Sequence, residues 1–569
     1  MTIFQFLLRA VLIFTVAPCF CLASLAKVDH QEKMLETLAV IKNTMEVQYA
    51  PAIWKKNHCG WDIDEEFNRA KRRLKNLQKP SVKAFQKIVR DFLASTQDYH
   101  VGVNFYSTES ASLPFCVKGV NEKYFISYID REKLSPDVFP FEIGDEVVRF
   151  DGKKTHEVLR ELQVTELATT TNETDQALSE IFLTQRIGSM GHSVPKGPIK
   201  ITVQSRARGN TKSYQLIWNY SPEKIQDAHV TKSMAFDRDN LRSEPNLDLL
   251  LTKEFTAPFA FQCLQEELNS SAMGAKKSFI PQLGPVKWKT ADDSSFYAYI
   301  YEDSEGRDVG YIRISDYMKG ADEAKEFSAI IKHMESSTDA LVIDQVNNPG
   351  GSVFYLYALV SMLSDESLFA PRHRMAITQK EVMVAVTFIP VFESIRSDID
   401  AKKVLGLTLD GNPVTYQMAQ FFLNYFRFIV DEWQEGRTIT EPFYLFGFDH
   451  INPHPDTRYT KPILVLVNHL DFSGGDFFPA ILQDNKRATI MGTRTAGAGG
   501  YVTMTEFPNL YGIANYHYTG SLAERVDSNP IENLGVEPDI PYSLSEVDLQ
   551  ENYCEFVQKI QTTVDDLLK

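Results

Sequence analysis

The chain has 569 residues, of which 43% are hydrophobic and 24% charged, and a formal net charge of -16 at pH 7. That length predicts two to four domains, with enough apolar residues for a sizeable core. The acidic balance argues against nucleic acid or an anionic membrane as partner, since a net-negative surface is repelled by both. The one basic run, Arg69 to Lys75, falls in a stretch of helical character and reads as a solvated helix face.

At the N-terminus, Arg9, the apolar run Ala10 to Leu22 and the small residues Ser24-Leu25-Ala26 follow the order of a cleavable secretory signal, residues 1–26. Gln5 and Arg9 interrupt the apolar stretch, which leaves it too short for a membrane anchor. The expectation is a secreted chain without stable membrane insertion. Cys19 and Cys21 would leave with the signal; the widely separated Cys59, Cys116, Cys263 and Cys554 make no disulfide framework and show no metal-type spacing, with the pairing of any two left open. His450 and His454 lack a third ligand in pattern, so neither metal nor cofactor is expected. His58-Cys59 has no cysteine-peptidase spacing and is expected to be buried and structural.

Residues 27–110 read as a helical domain. Leu38, Ile41 and Met45 recur at helical spacing, as do Phe85, Ile88, Val89 and Phe92 after the start signal Pro80-Ser81. This second helix is predicted to end near Ala94, leaving Asp98-Tyr99-His100 in a loop or at a strand start. Residues 111–225 switch to short strands, Tyr124 to Ile129 and Val147 to Phe150 among them, then a helix over Thr155 to Leu162 and a closing strand from Ile199 to Val203. Ile143-Gly144-Asp145-Glu146-Val147 with Asp151-Gly152-Lys153 resembles the signature of a PDZ domain, a module that adds extended peptide to a sheet edge. Residues 226–290 form a linking segment without clean periodicity, in which Asn269 to Gly274 reads as an exposed, cleavable loop. Residues 291–569 alternate strands (Val309 to Ile314, Ala340 to Ile343, Ile463 to Val467, Ala488 to Met491) with helices over Ala321 to Met334 and Gly475 to Leu482. That is the rhythm of a mostly parallel sheet.

Two turns in this last region carry candidate chemistry. The apolar strand Leu464 to Val467 runs through Asn468 to Asp471 into Phe472-Ser473-Gly474-Gly475-Asp476, a small-residue turn opening a helix. Such a turn exposes a serine hydroxyl at the top of a sheet and points a helix N-terminus at it. Leu341 to Asp344 leads into Asn347-Asn348-Pro349-Gly350-Gly351, where backbone N–H groups could approach a developing oxyanion. Either turn alone is equally compatible with a purely structural role.

Together with Gln483 to Ala488 and Gly535-Val536-Glu537-Pro538-Asp539, these turns resemble the tail-specific, or C-terminal processing, serine peptidase family, many of whose members carry a PDZ domain. That family often places a lysine base 25 residues after the serine. Here that position is Ala498, which excludes a Ser-Lys dyad at the usual place. Asp98-Tyr99-His100-Val101-Gly102 and Ile531-Glu532-Asn533-Leu534-Gly535 resemble instead the histidine and glutamate motifs of the tricorn-like branch. The resemblance implies Ser473 as nucleophile, His100 as general base and then acid, and Glu532 orienting the imidazole, with Glu537 as rival for the third place. Backbone N–H groups of Gly350, Gly351 and Gly474 would form the oxyanion hole. Gly474 stands where a relative carries cysteine, and it donates the same N–H.

The fold implied is multidomain α/β: a helical N-terminal section, a PDZ-like domain and an α/β peptidase core. A member of that branch is made inactive and matures by cleaving an internal inhibitory segment, with dimerisation. By position Thr231 to Gly284 is the matching stretch, so self-processing, homodimerisation and host-protein substrates reached in the host cytosol are the implied expectations. The alternative is a catalytically silent module that binds ligand or peptide on the same fold.

Overall fold

The structure is a computed structural model and describes residues 30–167, 172–224, 255–256 and 272–569. The expected signal, Cys263 and most of the stretch from Thr231 to Gly284 lie outside the described residues.

The centre is a seven-stranded sheet whose spatial order follows the chain: Val286–Lys289, Ala298–Glu302, Asp308–Arg313, Ala340–Asp344, Ile463–Val467, Thr489–Gly492 and Ile540–Pro541. The first two pairings are antiparallel and the rest parallel. Unbroken apolar strands such as Ile463–Val467 fit because both faces are covered. Ile343, Val465 and Val467 enter one core with Phe327, Ile331 and Leu359, while Val342, Leu464 and Leu466 enter another with Phe556 and Ile560. Helix Ala321–Ser337 crosses between two parallel strands as expected. The strand–helix alternation read from the sequence omits three further helices, Gln379–Ser394, Asp398–Leu405 and Tyr416–Gln434. They bury an aromatic block of Phe388, Phe392, Phe422 and Phe426.

Four helices open the described chain: His30–Gln48, Ala52–Cys59, Ile63–Asn76 and Val82–Ala94. Ser81 caps the last of them, its Oγ accepting from the Ala84 N–H at 3.1 Å, and Ala94 ends it as predicted. The short strand Gly102–Phe105 then pairs antiparallel with Ile513–Thr519, and both pack with Phe85, Val89 and Tyr49. The N-terminal helices are thus built onto the C-terminal half of the chain. His58 and Cys59 correct an expectation: both are exposed, because the helix turns its other face inward, and His58 stacks on Trp54 at 4.8 Å.

The PDZ-like part is a sheet ordered Phe115–Val120, Lys123–Ile129, Glu146–Phe150, Pro198–Gln204 and Thr211–Ile217, with the helix Thr155–Leu162 over it. Asp151 and Gly152 close a tight hairpin with φ of 51° and 81°, the positive pair that such a turn requires. An added helix, Glu173–Thr184, packs against both the first strand and Thr155–Leu162. The described part of the expected exposed loop, Ala272 to Gly274, is not exposed. Met273 is buried beside Leu470, Phe472 and Ala498, and the Gly274 N–H donates to the Asn347 carbonyl at 3.0 Å.

Candidate active site

Ser473 lies between strand Ile463–Val467 and helix Gly474–Asp484, at φ 58° and ψ -111°. A non-glycine residue held there is strained, as a nucleophile elbow is. Asp476, in the first turn of that helix, holds the elbow: its carboxylate accepts from the N–H groups of Ser473 (2.8 Å), Gly497 (2.8 Å) and Ala498 (2.9 Å), and from the Thr495 hydroxyl. Burial outweighs those four bonds and pushes its carboxyl up to about 6. The Ser-x-x-Asp spacing of a helix start could have pointed to this residue. Ser473 Oγ itself is buried and has no hydrogen-bond partner.

The glycine turn abuts the elbow. Asp471 ties the two together, accepting from the Asn348 N–H at 2.8 Å and the Asn468 N–H at 2.9 Å. A Cβ on Gly474 would stand 3.1 Å from Gly350 Cα and 3.3 Å from Gly351 N, so the two backbones lie in close approach. Gly351 has φ 152°, and a Cβ there would fall 2.1 Å from the Tyr317 carbonyl carbon. Gly351→Ala is therefore expected to cost at least about 1–3 kcal/mol through overpacking and to abolish hydrolysis, read by thermal melting and peptide cleavage. The Gly350 N–H, one of the expected oxyanion donors, is engaged within its own turn, donating to Asn348 Oδ1 at 2.8 Å.

His100 follows Asp98 and Tyr99 in the turn before strand Gly102–Phe105. Tyr99 packs edge-on against Phe472 at 5.3 Å, which joins the histidine turn to the serine turn. The His100 ring is fully buried, and both nitrogens lack a partner. Burial lowers its pKa to about 4, with the Lys55 ammonium pushing the same way and the Asp98 carboxylate opposing. Asp98 positions the turn by accepting from the His100 N–H (2.8 Å), the Tyr49 hydroxyl (2.9 Å) and the Thr519 hydroxyl (2.8 Å).

Glu532 is fully buried, whereas Glu537 has a side chain 78% exposed and 3.9 Å from Arg494. One Glu532 oxygen accepts from the Gly499 N–H at 3.0 Å, beside Ala498. The other pairs with Lys55 Nζ, a residue that sequence reasoning missed. Lys55 also donates to the Gln97 carbonyl (2.8 Å) and Asn533 Oδ1 (2.7 Å), so one buried ammonium staples the histidine turn to the glutamate turn. Burial and the Asp98 charge push the Glu532 carboxyl up to about 8, against the pull of Lys55. No hydrogen bond joins Glu532 to His100 among the described residues. The histidine turn is thus linked to the serine turn through Tyr99 and Phe472 and to the glutamate turn through Lys55. His517, opposite Gly102 in the strand pair, completes the surround, and its Nδ1 is also without a partner.

Comparison with known proteins identifies the family. The model described as Peptidase family S41 matches residues 308–542, and the PDZ domain model matches residues 109–225. A protein of Chlamydia muridarum is 36% identical, aligned over 94% of this chain and 93% of its own length. The solved structure of mature CPAF complexed with lactacystin has a TM-score of 0.81 at 33% identity, covering 95% of this chain and 99% of that one. A second structure, mature CPAF alone, gives 0.81 at 34% identity and covers 95% and 98%. Among the described residues no helix is long and apolar enough to cross a membrane. Placed by its turns, its sheet and these relatives, the chain belongs to peptidase family S41 as a CPAF-like serine peptidase that carries a PDZ domain.

Proposed function

We propose that the chain is a secreted serine endopeptidase that cuts host proteins with Ser473, His100 and Glu532, and that it is made as a zymogen which processes itself. One observation carries this reading: the backbone of Phe255–Thr256 pairs antiparallel with Gly350–Gly351, laying a strand of the chain along the oxyanion turn. A peptide substrate would bind there by the same strand addition. The strand comes from the stretch between Thr231 and Gly284, so the segment that blocks the cleft is also the first peptide presented to it. Buried Met273 packs the end of that stretch under Phe472, which further supports a latent state.

In this state the glutamate is engaged by Lys55, and His100 has no orienting partner. Cleavage of the segment frees the glycine turn and lets Glu532 turn to His100 Nδ1. The neutral imidazole then takes the Ser473 proton, Gly351 and Gly474 N–H groups hold the oxyanion, and the imidazolium protonates the leaving amine. The mature protein pairs as a homodimer and is delivered through the N-terminal signal. A fluorophosphonate probe tests the core of the reading. Stoichiometric labelling is expected after processing and none in the latent chain; a processed chain that stays unlabelled would overturn it.

The proton accounting gives a pH test. His100 must be neutral to act as base, so activity is present above its pKa and lost below it. The two groups then titrate as one pair: forming the Nδ1–H hydrogen bond draws the proton off Glu532, whose carboxyl is otherwise raised to about 8, and raises the His100 pKa from about 4 towards the ordinary 6.5. The acid limb of the mature enzyme is expected between these values, and a limb that stays at pH 4 would reject Glu532 as the orienting group.

A further inference from the structure

A cavity of about 240 Å³ is lined in part by Asn468 and His469, just ahead of the serine turn. Its walls are the PDZ strand Phe115–Val120, the helix Glu173–Thr184 and the carboxyl ends of strands Ile463–Val467 and Thr489–Gly492. Open α/β sheets bind ligands at such strand ends. Lys118 from the PDZ strand reaches in. Its Nζ is buried without a hydrogen-bond partner and sits over the Phe279 ring at 3.5 Å. The nearby Glu180 carboxylate is occupied by the Gly119 N–H and by Gln176 Nε2 at 3.2 Å, and no ion pair links it to Lys118. On the opposite wall His469 Nδ1 stands 3.3 Å from Thr493 Oγ1. Val346, Val467, Leu544 and Phe556 give the cavity an apolar side, and Asn121, Asn468 and Ser543 add polar groups to its lining.

A buried ammonium stacked on one ring face has Glu180 as a neighbour but no hydrogen-bonded anion, an arrangement that is unfavourable until a partner fills it. Its amphipathic surroundings, a cation at one end and apolar walls at the other, suit a carboxylate with an apolar body. The volume exceeds the roughly 150 Å³ that accommodates benzene in an engineered protein cavity. We propose that this cavity binds a small monocarboxylate whose carboxyl group pairs with Lys118 and whose body lies against Phe279, Val346 and Phe556. The site is separate from the peptide-cleaving groups and does not depend on their assignment. Its floor reaches them nonetheless: Thr174 Oγ1 donates to the His469 carbonyl at 2.9 Å, four residues before Ser473.

Phenylacetate is the probe and phenylacetamide its uncharged control, tested on the full chain carrying Ser473→Ala so that it stays intact. Phenylacetate is expected to raise the melting temperature saturably by a few degrees, while the amide does not. Lys118→Met should abolish the shift without lowering the unliganded melting temperature, because it removes an unpaired charge, and Lys118→Arg should retain it. Calorimetric titration of the chain with Lys118 intact gives a second reading. Burial lowers Lys118 to about 8, and Glu180, pushed up to about 7, gains its charge on the way there, while half-buried His469, lowered to about 4, is neutral throughout; the one other carboxylate facing the cavity among the described residues, Glu173, is exposed to solvent. Affinity should therefore fall by about tenfold per pH unit above about 8. No shift with phenylacetate, an equal shift with the amide, or a shift that survives Lys118→Met would each overturn the proposal.

Discussion

Ser473→Ala protein is expected to remain one chain and to lose peptide hydrolysis by a factor on the order of 10⁶, the scale on which removal of a triad serine acts elsewhere. The wild-type chain, under the same conditions, should divide between Thr231 and Gly284. This variant separates chemistry from folding well. Ser473 Oγ has no hydrogen-bond partner, and the residue is held by its backbone, through the Asp476 carboxylate and the helix it begins. Alanine at the same φ keeps those contacts and discards an unsatisfied buried hydroxyl, so the melting temperature should hold or rise slightly. Gel electrophoresis and a thermal melt together decide the matter. Equal splitting of both proteins would mean that another peptidase does the processing.

Lys55→Met should produce the largest effect on the fold. Breaking one side of a fully buried ion pair costs about 3–5 kcal/mol, because the carboxylate left behind has no cation. Here the loss should depend on pH. Glu532 already has its folded pKa raised to about 8, above the unfolded value, so the folded chain binds the extra proton between those pH values. Its contribution to stability is therefore greatest at low pH and is lost as pH rises towards 8. Removing the Lys55 charge raises that carboxyl further and extends the loss beyond pH 8. Denaturant titration should find Lys55→Met closer to wild type at pH 5 than at pH 8.5. Adding Glu532→Gln should restore much of the difference, since neither member of the former pair then leaves a buried charge. The same substitution removes a cation that lowers His100, so the imidazole should titrate higher in an NMR titration. An equal loss at both pH values, with no movement of His100, would leave the staple a packing feature only.

Several elements were legible because their signals are local. The Ser81 start and Ala94 stop frame a helix by caps and by a 3.6-residue period, and Thr155–Leu162 matches its expected bounds. Asp151-Gly152 names its hairpin because few other residues tolerate positive φ. The helices from Gln379 to Gln434 fall outside the strand–helix rhythm although Tyr416–Gln434 has a clear apolar face, because they pack on one another and not between successive strands of the sheet. His58-Cys59 went wrong because a residue's chemistry does not say which face of a short helix meets the core.

Within the site the same division holds. Sequence by itself determined the serine in its glycine turn, the second glycine turn and the absence of a lysine at Ala498, each a property of a few consecutive residues. It named His100 and Glu532 only through resemblance. Tertiary structure alone decided that Lys55 lies between them, that Glu537 faces solvent, and that Phe255–Thr256 covers Gly350–Gly351. Lys55 and Glu532 are 477 residues apart, and in sequence Trp54-Lys55-Lys56-Asn57 looks like any solvated helix face. A period or a cap records only the neighbours along the chain. Burial removes water from an ion pair only after distant segments have packed, so the charges that govern this site are set by packing and leave no local trace.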